Sequence, residues 1–118
     1  MPLENALQNL INQGILRGAM IYDSSGNVIW VSPPDWSPPL EPVFKAWDDE
    51  SITGFNIGDI RFSVIERTPE RFVAANIKGQ GVIIILKYKE DKWIYVMSAP
   101  GVSAHDLYNL LLSALHES

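Results

Sequence analysis

The sequence predicts an α+β domain: one antiparallel sheet with the N- and C-terminal helices packed on one face. Three observations carry this. Residues 60–98 read as strand after strand with tight turns between them. Both chain ends carry apolar stripes at helical spacing, Leu3, Leu7, Leu10 and Ile11 at one end and Leu107, Leu110, Leu111, Ala114 and Leu115 at the other. The 118 residues hold no linker and no internal repeat, so the whole span 1–118 reads as a single domain of ordinary globular composition.

In order, residues 3–13 form a short amphipathic helix that Gly14 can stop. GAMIY (18–22) and NVIWVS (27–32) flank DSSG, whose Asp, Ser and Gly are hairpin-loop residues. PPDWSPPLEP (33–42) has proline at five of ten positions and admits neither a strand nor a long helix. A short helix over about 39–48 can follow, with Ser37 as its cap and Val43, Phe44 and Trp47 as its apolar side. Asp48, Asp49 and Glu50 then stand at its C-terminal end, where negative charge opposes the helix dipole. Strands are expected at 52–58, 60–67, 71–78, 81–89 and 93–98, with TPE and EDK as turns. GVIIILKYK has β-branched residues on both faces and therefore belongs in the middle of the sheet. A last helix runs over about 103–116. Tight connections after Ile60 make these strands antiparallel neighbours, and terminal helices on such a sheet give the α+β class.

The residues that could carry chemistry are few. KGQG (78–81) invites a phosphate-loop reading, but its lysine precedes the glycines and a strand follows, not a helix. It is the turn that launches a strand. With no cysteine and only His105 and His116, no HExxH pattern and no alternating acidic loop, no metal site is expected. No GxSxG elbow or nucleophile–base pair can be named. The chain is read as a non-enzyme with no cofactor. No secretory signal is visible, and the apolar run Val82–Leu86 is too short to span a bilayer, so a cytoplasmic location is expected.

What remains is surface. The formal charge of -5 argues against nucleic acid as a partner. Seven of the nine cations nevertheless fall between Arg61 and Lys92, where only four carboxylates accompany them. Two readings stay open: solvated strand edges, or a basic face on an acidic protein. Of the four tryptophans, Trp30 and Trp47 suit the core, and Trp93 starts a strand. Trp36, among prolines, either folds back as a lid or is offered to a partner.

The ordered series from GNVIWVS through GFNIGDIRFSVIERTPERFVAANIKGQGVIIILKYKEDKWIYVMSAPG to the last helix resembles profilins, with the archaeal members the nearest in kind. The resemblance implies a profilin-like fold, a place in the cytoskeleton, and binding of monomeric actin or an actin-like protein to regulate its polymerisation. By position it places the actin-binding face at Asn76, Lys78, Lys87, Lys89, Tyr95, Val102, His105 and Tyr108, extended by Arg71 and Lys92. It also brings polyproline ligands and acidic phosphoinositides as family partners. Here Trp30 keeps a polyproline-site position, but the first helix has no aromatic residue and the last turns offer only His116. Ordinary polyproline binding is therefore not expected, and no residue supports phosphoinositides. The alternative is a roadblock or longin-like dimerising scaffold for small GTPases. That reading needs an exposed apolar edge or helix face for pairing. A PAS-type sensor, the third, needs an internal cavity.

Overall fold

The structure is a computed structural model that describes residues 2–117. Ten elements follow in chain order: α1 (Leu3–Asn12), β1 (Leu16–Asp23), β2 (Val28–Ser32), α2 (Glu41–Asp48), β3 (Gly54–Ile57), β4 (Ile60–Thr68), β5 (Arg71–Ala75), β6 (Val82–Lys89), β7 (Lys92–Ser98) and α3 (Ala104–Glu117). The seven strands form one sheet in the order β2-β1-β7-β6-β5-β4-β3, and every neighbouring pair is antiparallel. β6 is the middle strand, as its two-sided apolar sequence requires, and Val82 to Leu86 are all buried.

Strand alternation divides the core into two layers. On one face, Leu7 and Leu10 of α1 and Leu107 and Leu111 of α3 pack on Ile21, Ile84, Ile94 and Val96. The terminal helices therefore share one face, as expected. On the other, Val43 and Ala46 of α2 meet Phe55, Phe62, Phe72, Ile83, Ile85 and Tyr95. The first hairpin is locked by Asp23, whose Oδ1 accepts from the backbone N–H of Ser25 and of Asn27, both at 2.9 Å. These bonds hold the Asp23 carboxyl below its ordinary range, the Asn27 N–H contributing most. Ser103 caps α3, its Oγ accepting from the N–H of Asp106 at 3.1 Å.

Three local expectations need correction. α2 begins at Glu41, with Leu40 at the cap position and no side-chain cap, so Ser37 is not its cap; residues 33–35 turn, the Trp36 N–H donating to the Pro33 carbonyl at 2.9 Å, and no regular structure follows until Glu41. β5 ends at Ala75 rather than 78, because Asn76 already begins the turn. The acidic end of α2 is not left uncompensated: the Arg67 guanidinium reaches over from β4 and donates to the carbonyls of Ala46, Asp49 and Ile52. A cation thus stands where the helix dipole is negative.

Candidate partner-binding face

The expected contact residues do not form one cluster. Their best-defined part is a groove of about 360 Å³ between α3 and the β4–β5 pair, lined by Ile65, Glu66, Arg71, Val73, His105 and Tyr108 among others. Arg71 organises it. Its Nη1 donates to the Tyr108 hydroxyl at 2.6 Å, its guanidinium carbon lies 5.3 Å from the Tyr108 ring centre, and its Nε pairs with the Glu66 carboxylate. The Tyr108 bond, followed by the Glu66 charge, favours the charged guanidinium and raises its pKa further. One side chain therefore ties α3 to both β4 and β5. His105 lies one turn before Tyr108 and is exposed, its Nε2 3.3 Å from Asn109 Nδ2.

Lys87 lines the margin of a neighbouring groove of about 260 Å³ that Arg71 and Tyr108 also border. By strand alternation alone, Lys87 and Lys89 would point the same way. They do not, because a bulge interrupts the β6–β7 register between them. The Lys87 ammonium lies 5.9 Å from the Trp93 ring centre, and that of Lys89 lies 5.9 Å from the Tyr88 ring centre; those two rings belong to opposite faces. Lys92, at the same end of the sheet, is paired with Asp91 at 3.0 Å.

Tyr95 has no place on a surface. It is 0% exposed, in the α2-side core, and burial pushes its phenol pKa far up. An odd residue of a strand with one helix layer on each face has no route to solvent. Its hydroxyl has no hydrogen-bond partner among the described residues. Val102 is half-buried against the α1/α3 core. Asn76 is buried as well, and its side chain holds the turn: Nδ2 donates to the Arg61 carbonyl at 2.8 Å, while Oδ1 accepts from the N–H of Lys78 and of Gln80. It positions exposed Lys78.

Trp36 folds back. Its ring stands edge-on to Tyr95, centroids 5.7 Å apart, and presses on Gly18 so closely that a Cβ there would lie 2.3 Å from the indole. This is the lid reading, and it requires glycine at position 18. Trp30 on β2 is half-buried against the α1/α3 layer. The α1–α3 groove of about 240 Å³ is lined by Ala6, Asn9, Leu10, Gln13, Leu110, Ser113 and Ala114, with no aromatic ring.

Sequence reasoning missed Ile65, Glu66 and Ile77. Ile65 is 58% exposed at a bulge between Val64 and Glu66, on the side of its strand away from Phe62 and Val64. No helix is long and apolar enough to cross a membrane, and no group of three metal-ligating side chains occurs among the described residues.

No family model matches the chain. Over 42 residues it is 38% identical to Heimdall profilin of a Heimdallarchaeota archaeon (strain LC_2); the match spans 36% of this chain and about a third of that protein. Among solved structures, LokiProfilin2 in its complex with rabbit actin superposes with a TM-score of 0.72 at 19% identity, covering 98% of this chain and 93% of that one. Acanthamoeba castellanii profilin IA gives 0.69 at 13% identity, covering 98% and 94%. A roadblock/LC7 domain from Streptomyces avermitillis gives 0.60 at 13% identity, covering 100% and 99%. The fold is that of the profilins.

Proposed function

We propose that this chain, a divergent profilin similar to the archaeal ones, binds monomeric actin or an actin-like protein and thereby regulates filament growth. The observation that carries the reading is the groove of α3 and β4–β5, pre-shaped by Arg71, in a fold whose relatives include one solved on actin. The basic stretch supports it. From Arg71 to Lys89 the chain carries four cations and no carboxylate, on a protein of net charge -5. Such a patch steers an acidic partner and sets orientation at encounter. His105, Tyr108, Lys78 and Lys87 are the contact residues of this reading; Arg71 and Asn76 position them. Polyproline binding is weak or absent in it, since the α1–α3 groove has no aromatic wall. It is a binding protein of the cytoplasm, not an enzyme.

The test is a calorimetric titration into monomeric actin from the same cell, beside polymerisation kinetics. The expected result is saturable one-to-one binding with slowed polymer growth, and slower association when Lys78 and Lys87 are both reversed to glutamate. Absence of heat together with unaffected polymerisation rejects the reading. A roadblock-type scaffold predicts instead a mass that doubles with concentration in sedimentation.

A further inference from the structure

The β5–β6 turn presents a large apolar side chain to water. Ile77 is 89% exposed, the most exposed of the large hydrophobic residues described. Single exposed aliphatics are common on surfaces and by themselves mean little. Two features set this one apart.

The first is rigidity. The turn is tied on every side: Asn76 commits its side chain to Arg61, Lys78 and Gln80, and the Gly79 N–H returns to the Asn76 carbonyl at 3.0 Å. Arg17 of β1 donates to the Gln80 carbonyl at 3.2 Å, and the Gly101 N–H donates to the Gly79 carbonyl at 2.8 Å. Gly79 takes a φ of 77°, which closes the turn without strain. A buried asparagine and two long-range bonds therefore fix the tip of a loop that carries no core residue of its own. Ordering already present in the free protein is ordering that binding need not supply.

The second is charge. Ile77 is followed by exposed Lys78, and the hairpin around it contains no carboxylate from Arg71 to Lys89. The turn also abuts, through Gly101, the loop that leads into α3 and His105. An apolar knob with cations beside it fits an apolar pocket rimmed by carboxylates.

We propose that Ile77 is the apolar anchor of the actin-binding face, seated in a hydrophobic pocket of actin with an acidic border, while Lys78 supplies steering. This rests on the actin reading above. The anchor contributes through removal of apolar surface from water, so its effect is insensitive to salt and appears in the dissociation rate; that of Lys78 is screened by salt.

The experiment is a titration of wild type, Ile77→Ser, Ile77→Leu and Lys78→Glu into monomeric actin at low and high salt, with melting curves of all four. Ile77→Ser is expected to weaken binding by about 10- to 100-fold at both salts with an unchanged melting temperature. Ile77→Leu keeps wild-type affinity, and Lys78→Glu loses affinity mainly at low salt. If wild type binds and Ile77→Ser binds equally well, the anchor is refuted while the actin reading stands. If wild type gives no heat, both fall. Binding of wild type to phosphatidylserine vesicles that Ile77→Ser abolishes, with actin titrations unchanged, would reassign the tip to a membrane surface and overturn the proposal.

Discussion

The two faces of the sheet are built from different materials. The α1/α3 face is aliphatic: leucine, isoleucine, valine and alanine from two full helices interlock with the same residue types on the strands. The α2 face is aromatic: Phe55, Phe62, Phe72, Trp47, Trp93, Tyr22, Tyr95 and Trp36 cover what one eight-residue helix cannot. Six of the rings form a continuous chain of contacts, from Tyr22 through Trp93, Trp47, Phe72 and Phe55 to Phe62, with Trp47 5.3 Å from Trp93 and Phe55 5.7 Å from Phe62, and Trp36 and Tyr95 make a separate pair. Where secondary structure is scarce, large rings supply the missing cover; where it is plentiful, small side chains suffice. The groove organised by Arg71 lies on the helical side.

The comparison can be broken most severely at Phe72, which is fully buried and touches both Trp47 and Phe55. Phe72→Ala is expected to cost about 3–5 kcal/mol by urea denaturation, with little change in partner binding if the domain still folds. A next smaller loss, about 3 kcal/mol, is expected for Trp36→Ala, since the indole caps Gly18 and Tyr95. Gly18→Ala should destabilise by a similar route, and in the Trp36→Ala background it should cost almost nothing, because the atom it strikes is gone. Additive losses would show that Trp36 is not the lid described.

The smallest effect is read by pH. Burial raises the phenol pKa of Tyr22 and Tyr95 well above the ordinary value of 10.0. Their folded-state values exceed the unfolded ones, so the stability they lend is fully present below pH 10.0 and is lost as the pH climbs beyond it. Ultraviolet titration should show these two rings ionising only together with unfolding. Early ionisation of all the tyrosines with the fold intact would contradict the packing of the aromatic face.

Much of this architecture was legible because periodicity is a local signal. Leu3, Leu7 and Leu10 announce α1, and the apolar run of β6 announces a middle strand. The bulges at Val64/Glu66 and Lys87/Lys89 were not legible, since a single extra residue leaves the composition unchanged while reversing which way every later side chain points. That is why Lys87 and Lys89 parted. Tyr95 and Asn76 were placed on the surface by resemblance, because a buried tyrosine and a turn-bonding asparagine look no different in sequence from exposed ones. Arg67 over the end of α2 is a tertiary contact spanning 21 residues, with no local mark.

The sheet is closed by β1 and β7, strands from opposite ends of the chain, paired from Leu16 opposite Ser98 to Asp23 opposite Lys92. During synthesis the N-terminal helix and hairpin leave the ribosome with β1 lacking its inner neighbour, and the meander from β3 to β6 emerges before that neighbour exists. β7, made after the other six described strands, is the one that joins the two halves. Bringing β1 to β7 closes a long loop, whose entropic cost comes before the pairing that repays it, so a chain cut before Lys92 lacks the strand that joins β1 to β6.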